Sequence, residues 1–79
     1  MTLEQAKRES EQITGVSNVT YDALAVLTSA LEGTVALETY KLDARKVGDS
    51  EALELFERLQ RQEIEEINSL KSFLKKRLQ

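Results

Sequence analysis

Five residues, Lys46-Val47-Gly48-Asp49-Ser50, constrain this chain most, because they separate two long helical patterns of nearly equal length. Apolar residues recur at alternating three- and four-residue spacing over residues 17–47 and again over residues 49–78, which is typical of amphipathic helices. Gly48 suits the left-handed position after a helix C-terminus, and Asp49 or Ser50 suits the N-cap of the next helix. So short a connection predicts an antiparallel helical hairpin.

The first 15 residues predict a short N-terminal helix followed by a linker. Thr2 and Gln5 fit a capping box, and Gly15 fits the end of the helix. The apolar stripe of this segment is narrow, so the sequence leaves open whether it docks on the hairpin or frays. With 79 residues the chain is expected to form one domain, 1–79, with the N-terminal helix and linker at 1–15, a long helix at 17–47 and another at 49–78.

The composition favours an all-α protein and narrows the possible chemistry. Hydrophobic residues make up 41% of the chain and charged residues 32%, with no proline, cysteine, histidine or tryptophan. The absence of cysteine excludes thiolate catalysis and disulfides, and the absence of histidine excludes serine–histidine catalysis and imidazole ligands. Carboxylates are therefore the remaining candidates for acid–base chemistry or metal binding, and a non-catalytic protein is favoured over an enzyme.

The charge of the chain argues against nucleic acid as a partner. The chain has a net charge of -3. Proteins that bind nucleic acid usually carry clustered lysine and arginine residues, which displace counterions from the phosphates. The segment from Met1 to Gln12 alternates acidic and basic residues without an apolar run, which predicts neither a secretory signal nor a membrane span. We expect a cytoplasmic protein that does not bind membranes. The sequence does not reveal whether another protein is a partner.

Both long helices carry an apolar face wider than one partner helix requires. On the first helix, one row alternates at three- and four-residue spacing, and a second runs beside it. The first row is Val19, Ala23, Val26, Ala30, Gly33, Leu37, Tyr40, Ala44 and Val47, and the second is Leu24, Leu27, Leu31, Val35 and Leu42. Since large exposed apolar surfaces mark sites of association, we expect an obligate homodimer in which two hairpins form a four-helix bundle.

Three glutamates fall within these apolar patterns. Glu38 lies in the second row of the first helix, Glu63 lies in the middle of the apolar face of the second helix, and Glu66 lies near its edge. A buried carboxylate must be paired, protonated, hydrated or bound to a metal. Symmetry about Gly48 places Glu63 opposite Thr34, at the middle of the predicted bundle.

The region from Tyr21 to Leu74 resembles the helical hairpin of the ferritin-like superfamily, especially rubrerythrin-type and encapsulated-ferritin sequences. The resemblance rests on the interval from Tyr40 to Glu63 and on three stretches: residues 36–44 (ALETYKLDA), Gly48-Asp49 and Leu55-Phe56. In that family each hairpin carries a glutamate, a tyrosine seven residues later and a Glu-x-x-His motif on the second helix.

The resemblance implies a degenerate metal motif. Glu63 matches a family ligand and Tyr40 matches the accompanying tyrosine, whereas the first glutamate falls on Gly33 and the histidine falls on Glu66. Glu32, next to Gly33, and Glu66 are candidate substitutes for the missing ligands.

A dimer that combines Glu63 and Glu66 with Glu38 or Glu32 would offer oxygen ligands only, which suit Ca²⁺, Mg²⁺ or Mn²⁺ and hold iron weakly. In the alternative interpretation Glu38 pairs with Lys41 or Arg45, and the other glutamates find Arg61, Arg77, Thr34 or water. The sequence thus favours a dimeric, non-catalytic structural or interaction module without a cofactor. The alternative is a carboxylate protein that binds iron or manganese in a ferroxidase or storage role.

Overall fold

The computed structural model describes residues 2–78 and places them in three α-helices joined by short connections. Helix α1 spans Leu3–Thr14, helix α2 spans Asn18–Val47, and helix α3 spans Ser50–Arg77. The all-α class predicted from composition is confirmed for these residues. Over the same part of the chain, no helix combines the length and the apolar character that a membrane span requires.

Each helix begins at a side chain that satisfies a backbone N–H group. Thr2 forms the predicted capping box with Gln5 at the start of α1. Ser17 and Asp49 cap α2 and α3, each accepting a hydrogen bond from the backbone N–H three residues further on. The helix starts are therefore set by local sequence, independently of packing.

Gly48 ends α2 in the left-handed conformation, with a φ angle of 70°. Its N–H donates to the carbonyl oxygen of Arg45, and the N–H of Asp49 donates to that of Ala44 at 2.9 Å, which is the bond pair of a Schellman motif. A side chain at this φ angle would be strained, so glycine is the suitable residue. The chain reverses here within a few residues, and α3 returns along α2.

Contacts between α2 and α3 fix the register of the hairpin. The hydroxyl of Thr34 donates to Glu63 Oε2 at 2.8 Å, and the rings of Tyr40 and Phe56 lie 6.0 Å apart. Both pairs are nearly symmetric about Gly48, as predicted for Thr34 and Glu63. The middle of the hairpin therefore lies at the level of Gly33 and Glu63.

The described helices lie in a single layer. The molecule measures 54 × 28 × 13 Å, and its smallest dimension is close to the diameter of one helix, about 10–12 Å. Its accessible surface is 6168 Å², whereas a compact protein of 8.9 kDa exposes about 4,800 Å². Within residues 2–78 the buried apolar side chains are Leu37, Ala44 and Leu74. One chain therefore covers only part of its apolar surface.

The first apolar row of α2 divides into two sets in the structure. The inner row, Ala23, Ala30, Leu37 and Ala44, is half-buried or buried, with Leu37 7% and Ala44 4% exposed. The outer row is Val19, Val26, Gly33, Tyr40 and Val47. Its four side chains larger than glycine are exposed, with 60% of Val19, 56% of Val26, 47% of Tyr40 and 79% of Val47 accessible to solvent. The inner and outer rows are neighbours in one sequence pattern, but the inner row is covered and the outer row is exposed to solvent.

Helix α1 is attached to the hairpin only at its junction with α2. The Glu11 carboxylate accepts hydrogen bonds from the backbone N–H of Asn18 at 3.2 Å and from its side-chain amide at 3.3 Å. Helix α1 contacts α2 but not α3, and no residue of α1 is buried. Leu3 and Ile13, the large members of its apolar stripe, are exposed. The stripe therefore does not pack on the hairpin of its own chain.

Candidate functional site

Glu63 lies against the one glycine inside a helix of this hairpin. A Cβ atom built on Gly33 would lie 2.9 Å from Glu63 Oε1 and 3.0 Å from Oε2, so the carboxylate occupies the space that a side chain at position 33 would need. Oε2 accepts the hydrogen bond from Thr34, and the Glu63 side chain is half-buried. In the ferritin-like pattern, position 33 carries the glutamate of the first helix. In this chain that position is Gly33, and the carboxylate of Glu63 from the second helix lies against it.

Glu38 belongs to a polar network that crosses between the helices. Lys41 Nζ lies 2.9 Å from Glu38 Oε1, and Gln60 Nε2 donates to the same oxygen at 2.8 Å. Lys41 also donates to Gln60 Oε1 at 3.0 Å, and Gln60 Nε2 donates to the backbone carbonyl of Thr34 at 3.1 Å. The hydrogen bond from Lys41, followed by that from Gln60, lowers the pKa of Glu38 from its ordinary value of 4.5. Of the two partners predicted for Glu38, Lys41 is therefore the one it contacts.

Glu66 and Glu32 are both exposed. Glu66 lines a shallow concavity together with Gly33, Tyr40 and Glu63, and Glu32 does not line it. Within residues 2–78, no three acidic side chains come close enough to hold a metal ion together. One chain therefore does not bring Glu32, Glu38, Glu63 and Glu66 together, and a metal site built from them stays a prediction that requires a second chain.

The partners predicted for Glu63 and Glu66 are found only in part. Thr34 bonds to Glu63 as expected, but the Arg77 guanidinium lies 4.6 Å from the centre of the Phe73 ring. Across residues 2–78 the one ion pair within 4 Å joins Lys41 to Glu38. Glu63 is thus satisfied by a hydroxyl and not by a cation.

Tyr40 lines the shallow concavity and also contacts Phe56 on α3. Its ring is tilted by 55° against that of Phe56, and nearly half of the residue is exposed. The residue that matches the tyrosine of the family pattern therefore shares a concavity with Glu63 and Glu66, and its ring provides an aromatic contact between the two long helices.

A second concavity, here called the basic groove, lies between α2 and α3 near the end of the hairpin opposite the turn. It has an apolar floor and a polar rim, and is lined by Leu24, Leu27, Asn68, Lys71, Ser72, Leu74, Lys75 and Leu78. The basic residues at the C-terminal end of α3 also interact favourably with the helix dipole. The sequence feature that indicates this groove is the second apolar row of α2, because Leu24 and Leu27 of that row line it.

In one chain, Glu63, Glu38 and Tyr40 make contacts between α2 and α3. Glu63 fills the space above Gly33, Glu38 anchors a cross-helix network, and Tyr40 contacts Phe56. Comparison with protein-family models, with curated proteins and with solved structures gives no match for this chain.

Proposed function

We propose that this protein is a non-catalytic structural or interaction module of the ferritin-like type. It acts as a homodimer in which two hairpins form a four-helix bundle. The observation that carries the proposal is the outer row of α2, a regularly spaced set of exposed apolar residues beside a covered one.

The outer row has the spacing of a helix-packing surface. Val19, Val26, Gly33, Tyr40 and Val47 recur every seven residues, as do the residues of α3 that lie on the same face, Ala52, Leu59, Glu66 and Phe73. A seven-residue repeat keeps one side of a helix directed at a neighbour along its whole length. Because α3 covers the inner row and leaves the outer row in solvent, a further layer of helices is needed to cover it.

The charge distribution along α3 favours an antiparallel arrangement of the two hairpins. Its first turns carry Glu51, Glu54 and Glu57, and its last turns carry Lys71, Lys75, Lys76 and Arg77. A twofold axis perpendicular to the helices brings the acidic end of one α3 level with the basic end of the other α3.

The outer row itself is compatible with such an axis at Gly33. The axis places Val26 level with Tyr40 of the second copy and Val19 level with Val47 of the second copy. Gly33, the smallest residue of the row, then lies where the two copies are closest.

The exposed area is large enough for this interface. The chain exposes about 1,400 Å² more than a compact protein of its mass. A stable interface of standard size buries about 800 Å² on each partner. Two hairpins that pair through the outer-row face can therefore form an interface of this size from surface that one chain already exposes.

Light scattering coupled to size exclusion at micromolar concentration tests the dimer. We expect a mass twice that of the 8.9 kDa chain. Val26→Glu places a charge in the outer row and should abolish the dimer. Val35→Glu makes the same change at an exposed valine of the second apolar row and should leave the dimer intact. A well-folded wild-type monomer, or equal effects of the two substitutions, would overturn the proposal.

The alternative function is binding of iron or manganese in a ferroxidase or storage role. The observation that favours it is that Glu63 and Glu66 share a concavity on the face of the outer row, so pairing through that face gathers four carboxylates near the axis. Oxygen ligands of this kind suit Mn²⁺ better than iron. Anaerobic titration with Mn²⁺ and Fe²⁺ by calorimetry tests it. Saturable binding that Glu63→Ala abolishes supports this function, and its absence contradicts it.

A further inference from the structure

The basic groove lies on the face of the hairpin opposite the outer row. On α2 it is lined by Leu24 and Leu27, which lie about 100° or more around the helix from Val26. On α3 it is lined by Lys71 and Lys75, whereas Phe73 belongs to the other face. Because the hairpin is one helix layer thick, a second copy packed on the outer row leaves this groove open.

The length and the apolar floor of the groove suit the binding of one short helix. Its α3 wall runs from Asn68 to Leu78, which is about 15 Å at 1.5 Å per residue, or about three turns of a docked helix. Its volume is about 720 Å³, and Leu24, Leu27 and Leu74 form an apolar floor. An amphipathic helix that lays an apolar face into a groove between two helices is a recurrent mode of recognition.

The charges of the groove specify the partner further. Among the described residues that line it, Lys71 and Lys75 carry the only charges, in a chain whose net charge is -3. A cationic rim around an apolar floor is complementary to a helix with leucine-like residues on one face and carboxylates beside them. We infer that the basic groove binds an acidic amphipathic helix of a protein partner. The inference rests on the proposed dimer only in that dimer formation leaves this face open.

The groove also adjoins the start of α2, where α1 is attached. Leu78 lines both the basic groove and a smaller concavity formed with Gly15, Val16 and Ser17. Helix α1 carries its own exposed apolar stripe, so α1 is a competing occupant. The bonds between Glu11 and Asn18 hold α1 at the junction, and the residues that line the groove belong to α2, to α3 and to Leu78 after it. The experiment therefore includes a variant of α1.

Fluorescence anisotropy on the full chain tests the inference with a labelled model peptide of about 14 residues that places leucine on one helical face and glutamate on the other. We expect saturable binding that weakens about tenfold in the double variant Lys71→Glu/Lys75→Glu. The variant Lys7→Glu/Arg8→Glu makes the same charge change on α1 and should bind as the wild type does. A peptide with lysine in place of glutamate should not bind.

Several results would overturn the inference. These are no saturable binding, equal binding by the two charge variants, or equal binding of the lysine peptide. Markedly tighter binding by Leu3→Ala/Ile13→Ala would identify α1 as the occupant. Co-sedimentation with anionic vesicles that Lys71→Glu/Lys75→Glu abolishes, without peptide binding, would identify a lipid surface. Light scattering on the same samples separates the two proposals, because a dimer that binds no peptide contradicts the groove alone and a monomer that binds it contradicts the dimer alone.

Discussion

The inner and outer rows of α2 lie side by side on one helix, and both are mainly apolar. Leu37 and Ala44 of the inner row are covered by α3, while Val26 and Tyr40 of the outer row are largely exposed. Their spacing along the sequence gives no reason for this difference, since both rows continue over the whole helix. The difference arises because one neighbouring helix covers only part of a wide apolar face. The outer row is therefore an apolar surface that one chain leaves exposed, and it is the surface that the proposed second hairpin would cover.

The largest expected effect is a loss of stability when the covered Leu37 is truncated, compared with the exposed Leu42. Leu37→Ala removes packed side-chain atoms from the contact with α3 and should lower the free energy of unfolding by about 3 kcal/mol. Leu42→Ala is the matched control on the same helix, because the Leu42 side chain is half exposed. This substitution should change the free energy of unfolding by less than about 0.5 kcal/mol. Urea unfolding followed by circular dichroism at a fixed protein concentration measures both. Equal losses would show that burial against α3 does not distinguish Leu37 of the inner row from Leu42 of the second apolar row.

A smaller effect of opposite sign is expected at Glu63. Its carboxylate is half-buried over Gly33 and has a hydroxyl but no cation as a partner, so Glu63→Leu should stabilise the protein by about 1 kcal/mol. The Thr34 hydroxyl can then bond to a carbonyl of its own helix. Thermal unfolding measures the change.

Glu63→Gln is the control for this substitution, because it removes the charge but keeps the shape and the hydrogen bond. It should be close to neutral. If Glu63→Leu instead destabilises the protein markedly or dissociates the dimer, the charge is used, as a metal site would require.

The smallest effect is expected at Glu38, which is exposed. Hydrogen bonds from Lys41 and Gln60 lower its pKa in the folded protein, so the stabilising contribution of the carboxylate is present above pH 4.5 and disappears as the pH falls through the lowered pKa. The wild type should therefore be slightly more stable than Glu38→Gln at pH 7, and the difference should shrink steadily as the pH is lowered below 4.5. Unfolding over a series of pH values measures it, with Glu32→Gln as the control. A difference that persists at low pH would mean that the charge of Glu38 is not its cause.

Local features of the fold could be predicted from the sequence. The capping box of Thr2 and Gln5, the left-handed Gly48 and the register that pairs Thr34 with Glu63 were all expected, because caps and turns depend on a few adjacent residues. The contact between Glu38 and Lys41 was one of two predicted options, since residues three apart share a helix face.

Features that depend on contacts between helices could not be predicted. The bonds from Gln60 to Glu38 and to the Thr34 carbonyl depend on a rotamer and on helix spacing, which periodicity does not give. The sequence identified Gly33 as the position of a missing ligand. The structure adds that its open space is filled by Glu63, a cross-helix contact that only the three-dimensional register reveals.

The proposed arrangement of two hairpins about Gly33 is tested most directly by distances between spin labels on two copies of the chain. The chain has no cysteine, so Lys46→Cys and Glu32→Cys each provide one labelling site per copy on an exposed residue of α2. An antiparallel dimer separates the two labels at position 46 by about 40 Å along the bundle axis, because each lies 13 residues from the level of Gly33. Labels at position 32 lie near that level and should be clearly closer together. Equal distances at the two positions, or no dipolar coupling at either, would contradict the antiparallel dimer.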